Sequence, residues 1–242
     1  MGDYKTESLK SFVDSIREVE VLLNAEGRPE KSLPEPGDRR DSRDLKNALS
    51  RAGLVMLVAH FEGFVKSSLA EYVDAICDAK PPSRRVPDAL LDLFTKERIR
   101  ELSQTEDGKQ RALRMRRLFA VYSDLWDEDR SINPRLISGS VLARQFTNAG
   151  PESLGAALML VGVDDPIGDI QGDVRSRGGL AKVNVGVKLQ EIVGKRNKIA
   201  HGDLTEKPVN SEVRDYLLFL LKVAEAIDEL ISGRIEYSCS LR

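Results

Sequence analysis

Lys195-Arg196-Asn197-Lys198-Ile199-Ala200-His201-Gly202-Asp203 closes a segment whose apolar residues, Val185, Leu189, Ile192 and Ile199, recur at helical spacing. The seam position between Ile192 and Ile199 belongs to Arg196, where leucine or isoleucine is expected. A guanidinium there is costly unless it is paired or open to a cleft. His201 follows five residues later, about 140° further round an ideal helix, so periodicity alone does not put it on the same face. It stands where the backbone leaves the helix, just before Gly202, a residue suited to the left-handed position after a helix end. The helix dipole there favours an imidazolium. The helix itself is expected over about 182–201.

The same reading extends outward through the chain. Leu9, Phe12, Val13, Ile16, Val19, Leu22 and Leu23 predict a helix over 6–25. Gly27, Pro29, Pro34, Pro36 and Gly37 predict a surface loop over 27–40. A long helix opens at Asp41 or Ser42 and runs to about Ala79, before Pro81-Pro82. Its stretch from Leu54 to Val73 reads as apolar on nearly all sides and hence as the central buried helix. One seam of it runs Val55, Val58, Glu62, Val65, Leu69, Tyr72, Ile76, with Glu62 as its charged exception. Residues 83–181 read as an insertion. Helices are expected there from Asp88 to about Leu102, from Gly108 to Trp126, and near 139–148 and 152–161, followed by a loop-rich stretch over 162–181. A last helix starts at Asn210 or Ser211 and runs to about Ser232. The whole is one all-α domain, with a core over about 1–79 and 182–232 and an insertion over about 83–181. No repeat, βαβ unit or Gly-rich nucleotide loop is evident.

Composition agrees with this class. Of 242 residues, 41% are hydrophobic, 31% charged and 5% aromatic, a pattern that favours helices over strands. No unbroken apolar run reaches about 18 residues, so no membrane span is expected, and no secretory leader opens the chain. Met1-Gly2 with Thr6 fits the spacing of a myristoylation signal, a pattern short enough to arise by chance. Cys77, expected on a helix, and Cys239, expected in a terminal tail, are the only cysteines; a reducing cytoplasm is the simplest setting. With two Cys and two His widely scattered, no metal site and no cofactor are expected. A net charge of −2 confines any RNA binding to a local patch.

Arginine cannot deprotonate and suits phosphate, while histidine titrates near neutral pH. Breaking a phosphodiester without metal needs a base for the 2′-hydroxyl, an acid for the leaving oxygen, and positive charge on the phosphorane. Arg196 can supply the charge and His201 one proton transfer. A second histidine is then wanted, either His60 of the same chain or His201 of a second copy. Asn197 can orient His201, contact phosphate, or stand as an exposed amide. Lys195 and Lys198 flank the site and can hold anionic RNA. The densest basic cluster is Lys109, Arg111, Arg114, Arg116 and Arg117; Arg111, Arg114 and Arg117 share one helix face, a solvated surface or a groove for RNA backbone. Arg196 and Glu62, each the charge of an apolar seam, can also form a structural salt bridge.

Arg196 and His201 at Arg-x4-His spacing, with polar Asn197 after the arginine, resemble the signature of the HEPN superfamily. Ala59-His60-Phe61-Glu62-Gly63-Phe64 resembles the helix carrying a glutamate between aromatics in the RiboL-PSP and related branches. The resemblance covers about 41–79 and 182–232. It implies a HEPN-like helical bundle and a metal-independent endoribonuclease that leaves 2′,3′-cyclic phosphate ends. In that reading Arg196 stabilises the phosphorane, His201 transfers protons, Asn197 orients and Glu62 positions Arg196, while Lys195, Lys198, Arg114 and Arg117 hold RNA. It further implies a homodimer with a composite site, and a toxin or antiphage effector with an antitoxin or defence-system partner. The alternatives are a non-catalytic HEPN-like module that binds RNA or protein, and a helical adaptor built on a buried Arg196–Glu62 pair.

Overall fold

The computed structural model describes residues 6–25, 39–177 and 182–240, the side chains of residues 39–42 and 124 excepted. Met1-Gly2, most of the expected loop over 27–40, and Gly178-Gly179 lie outside the described residues. Among those described, nine α-helices follow one another: α1 (Glu7–Ala25), α2 (Arg39–Ala79), α3 (Asp88–Ser103), α4 (Gly108–Leu125), α5 (Gly139–Ala143), α6 (Pro151–Leu160), α7 (Pro166–Ser176), α8 (Val185–Ala200) and α9 (Asn210–Cys239), with a short 3-10 turn at Ser83–Arg85. The only pairing of extended backbone among them is a single bridge between Pro82 and Ser131. The fold is all-α.

The helices gather into two compact units. One comprises Met1–Val65, Asn148–Pro151 and Ile167–Ile227; the other comprises Lys66–Thr147, Glu152–Pro166 and Asp228–Arg242. The division runs through α2 and α9.

In the first unit α1 lays Leu9, Phe12, Ile16, Val19 and Leu23 against the core. Phe12 meets Phe61 edge-on at 6.0 Å between ring centroids and Phe64 at 5.4 Å. Leu54, Leu57, Val58, Phe61, Phe64 and Val65 of α2 are buried, whereas Ala59 and Gly63 are exposed. The stretch read as apolar on nearly all sides is therefore buried on one side. By length and composition α2 passes the test for a membrane-crossing helix, as buried core helices also do; in the first unit Leu54, Leu57, Val58, Phe61, Phe64 and Val65 form its packed face. Asn210 Nδ2 donates to Leu23 O at 2.8 Å and Arg214 Nη2 to Asn24 Oδ1 at 2.7 Å, tying the start of α9 to the end of α1.

Two expectations need correction. The stretch expected as loop over 162–181 contains α7. Pro166 can begin a helix because its missing N–H is not needed there. Ile170 and Val174 are fully buried, and their burial offsets the cost of about 1 kcal/mol for each of Gly168 and Gly172 in a helix. Gln171 then fixes the start of α8, donating to Val183 O at 2.9 Å and accepting from Val185 N at 2.8 Å. The second correction is that α9 passes Gly233 and continues to Cys239. In the second unit Ile231 and Ser238 are buried, Ser238 lies 3.2 Å from the Tyr72 hydroxyl, and the Cys239 thiol faces Ala75 O at 3.6 Å. Cys239 thus ends a packed helix instead of a tail.

Gly139, at the start of α5, packs on the α2 backbone: an added Cβ would lie 2.9 Å from Ala70 Cα and 3.0 Å from Ala70 Cβ. Gly139→Ala is therefore expected to lower stability by about 1–3 kcal/mol, a drop in Tm of about 3–10 °C. An unchanged melting curve would show that α5 shifts freely on α2.

Candidate functional site

The site lies in the first unit, where α8 ends. Asn184 caps the helix by accepting from Val187 N at 3.0 Å. Val185, Leu189, Ile192 and Ile199 are buried, so the seam read from sequence is the core face, and Arg196 sits in it with about a fifth of its side chain exposed. Arg196 Nη2 donates to Glu62 Oε1. The same oxygen accepts from Ala149 N at 3.2 Å, so one carboxylate holds both the arginine and the backbone leading into α6. The two charged exceptions of two apolar seams are each other's partners.

The end of α8 closes in a Schellman motif. Gly202 N donates to Ile199 O at 3.0 Å and Asp203 N to Lys198 O at 2.9 Å, with Gly202 at φ +85. These are the two bonds that satisfy the last carbonyls of a helix, and the positive φ requires glycine there. His201 is the residue at the cap. It is exposed, as is Asn197, and among the described residues neither side chain forms a hydrogen bond or ion pair. The loop beyond is fixed. Arg51 Nη1 donates to Asp203 O at 2.6 Å and Glu206 O at 2.9 Å, and Asp203 Oδ1 accepts from Thr205 N at 2.8 Å. The Thr205 hydroxyl, donating to the same oxygen at 2.7 Å, and this backbone bond hold the Asp203 carboxyl below its ordinary pKa. The histidine thus projects from a rigid corner.

Lys195 and Lys198 flank the motif as expected, but their charges are already engaged. Lys195 pairs with Glu212 and lies 3.8 Å from Glu206; Lys198 lies 3.3 Å from Glu206. Between α8 and α9 the Tyr216 hydroxyl lies 2.6 Å from both Glu191 Oε1 and Glu212 Oε1. One hydroxyl proton faces two carboxylates, and Lys188 and Lys195, 4.6 and 5.8 Å from the Tyr216 ring centre, supply the compensating charge. Burial raises the pKa of Glu212, but Lys195 and Tyr216 reverse this and leave it lowered; Glu191 is lowered in the same way by Tyr216 and Lys188. Burial and the two glutamates push Tyr216 upward.

A carboxyl with a lowered folded-state pKa contributes stability that is complete above the unfolded value, about 4.3 for glutamate. That stability is lost as pH falls through the folded value. Tyr216→Phe is accordingly expected to cost about 1–3 kcal/mol near neutral pH, where the one proton that the two carboxylates share is lost. The Tm gap to the unsubstituted protein is expected to narrow as pH drops below about 4. A gap independent of pH from 7 to 3 would refute this account.

His60 is placed elsewhere. Two residues apart on a helix, His60 and Glu62 point about 200° apart, so His60 faces away from Arg196. Its Nε2 is 3.5 Å from Glu18 Oε2, a charge contact if protonated, yet this buried nitrogen forms no hydrogen bond. Arg114 and Arg117 belong to the second unit, where they line a cleft between α3 and α4. Among the described residues no three of His, Cys, Asp and Glu gather as a metal site. Sequence reading missed Arg51, Glu206, Glu212 and Tyr216. The one available signal was Glu212 in the first turn of an expected helix with Tyr216 one turn later.

The family model described as RiboL-PSP-HEPN matches residues 10–233 of the chain. No curated protein and no solved structure is similar enough to count as a match.

Proposed function

We propose that this chain, which belongs to the RiboL-PSP-HEPN family and so to the HEPN superfamily, is a metal-independent endoribonuclease. HEPN domains are often ribonucleases or otherwise nucleotide-related. The observation that carries the reading is the end of α8, where Arg196 is fixed by Glu62 and His201 presents an uncommitted imidazole from a rigid cap.

In the proposed reaction the 2′-oxygen attacks the adjacent phosphorus, and its proton passes to a histidine acting as base. The P–O5′ bond breaks and the 5′-oxygen takes a proton from an acid, leaving a 2′,3′-cyclic phosphate and a 5′-hydroxyl. Arg196 supplies positive charge to the phosphorane, whose equatorial oxygens carry the developing charge. One His201 serves one transfer, so a homodimer supplies base and acid from two copies. Asn197, exposed one turn before His201, orients the imidazole or the phosphate. Lys198 lends charge at the rim, whereas Lys195 joins α8 to α9 through Glu212. The biological role that fits is a toxin or antiphage effector in the cytoplasm, held by an antitoxin or a defence-system partner.

The second reading, a non-catalytic module that binds RNA or protein, has one observation in its favour: Glu62 already neutralises Arg196. Incubating EDTA-treated protein with RNA and mapping the ends separates the two. Cleavage with 2′,3′-cyclic phosphate and 5′-hydroxyl termini is the expected result. Intact RNA at high protein concentration across tRNA, mRNA and rRNA substrates would leave the binding module.

A further inference from the structure

In the second unit α3 and α4 border a cleft of about 340 Å³, and Arg98, Arg114, Arg117, Leu118, Tyr122 and Leu136 are among its walls. It adjoins a second cavity of about 230 Å³ that shares Arg98, Tyr122 and Leu136 and adds Arg135 and Arg144. Five arginines thus face one continuous depression whose acidic members are Glu97 and Glu101. Glu101 is engaged by Arg98 at 2.5 Å, and Arg114 donates to Thr105 Oγ1 at 3.3 Å. Arg117, Arg135 and Arg144 form no ion pair among the described residues. Such an excess of unpaired guanidinium forks matches phosphate oxygens in shape and charge.

The floor is different. Leu102, Leu118, Val121 and Leu136 give it an apolar surface. The Tyr122 side chain, 6% exposed, borders both cavities, with its buried hydroxyl beside Arg98. Burial raises the Tyr122 pKa, and the neighbouring Arg98 only partly opposes it, so the group is a neutral donor there.

We propose that this cleft is a binding site for a small phosphate ester with a flat apolar body, its phosphoryl group on Arg117, Arg135 and Arg144 and its body on the leucine floor against Tyr122. The volume is within the range of pockets that enclose small ligands, about 300–1,000 Å³. The site gives Arg114 and Arg117 a small-molecule role in place of contacts to RNA backbone. It does not depend on the ribonuclease reading, because no residue of it belongs to the unit that carries Arg196 and His201.

Calorimetric titration of the full chain with phenyl phosphate, AMP, glucose 6-phosphate and inorganic phosphate tests the proposal. Phenyl phosphate and AMP are expected to bind at least about tenfold more tightly than inorganic phosphate or glucose 6-phosphate, the difference that about 1.4 kcal/mol from the apolar floor would supply. Arg117→Ala and Arg135→Ala are each expected to weaken phenyl phosphate at least about tenfold. Tyr122→Leu is expected to weaken it several-fold, because the ring that borders the apolar floor is lost. Equal affinity for all four probes, or no heat with any of them at millimolar concentration, would overturn the proposal. So would binding unaffected by Arg135→Ala. A single-stranded RNA that binds and is lost with Arg114→Ala and Arg117→Ala, while phenyl phosphate and AMP do not bind, would instead make the cleft a polynucleotide groove.

Discussion

His201→Ala is expected to reduce RNA cleavage at least about a thousandfold, within the range assigned to positioned acid–base groups, while Tm changes by no more than a degree or two. The second half follows from exposure. The imidazole packs against nothing that holds the cap, and the Schellman bonds are made by backbone N–H groups of Gly202 and Asp203, so truncation leaves the helix end intact. Surface substitutions away from such features usually cost less than about 0.5 kcal/mol. The composite site adds a sharper expectation. When equal amounts of His201→Ala and unsubstituted protein exchange freely, only about a quarter of the dimers carry two histidines. Activity is then expected to fall to about a quarter instead of a half. A residual activity of one half would mean that each copy works alone and would return His60, or a solvent proton, to consideration. A single-copy mass in solution at micromolar concentration would have the same meaning.

How far the sequence reveals this molecule depends on where a residue's partner lies. α1 and α8 are legible because their apolar residues recur at helical spacing, and the starts of α3 and α4 are marked by Pro87 and Gly108. α7 is hidden because Gly168 and Gly172 weaken the local signal, whereas the burial that overrides them, at Ile170 and Val174, is tertiary. Gly233 misleads in the same way, since Ile231 and Ser238 are buried on either side of it. At the site, Arg196 and Glu62 stand out as charges in apolar seams, which is a local anomaly and therefore readable. Lys195 is not anomalous in sequence. That its charge goes to Glu212, seventeen residues on, depends on the packing of α8 against α9. Arg51 reaches carbonyls more than 150 residues away, and backbone acceptors leave no trace in side-chain chemistry. The unit boundaries inside α2 and α9 are invisible for a related reason, because a continuous helix can serve two cores without any break in its pattern.

The Arg196–Glu62 pair separates a catalytic arginine from a structural one. Glu62→Ala is expected to cost about 2–4 kcal/mol, since it leaves a largely buried guanidinium without its counter-charge and Ala149 N without an acceptor. That corresponds to a fall in Tm of about 5–15 °C for a domain of this size. Arg196→Met leaves Glu62 with the Ala149 bond and some contact with solvent, so a smaller loss, about 1–2 kcal/mol, is expected. Removing both charges together, with Glu62→Leu and Arg196→Met, replaces the pair by apolar side chains of similar size. That exchange is often neutral or stabilising for buried ion pairs, so the double variant is expected to recover the part of the loss in Glu62→Ala that comes from the uncompensated guanidinium, while Ala149 N lacks its acceptor in both. Cleavage is expected to stay absent in the double variant and in Arg196→Met, because restored packing returns no positive charge to the phosphorane. Stability and activity then part company, which a merely structural pair does not allow. A double variant that is stable and still cleaves RNA would make Arg196 and Glu62 scaffold only, and intact RNA with the unsubstituted chain as well would favour the adaptor over the enzyme.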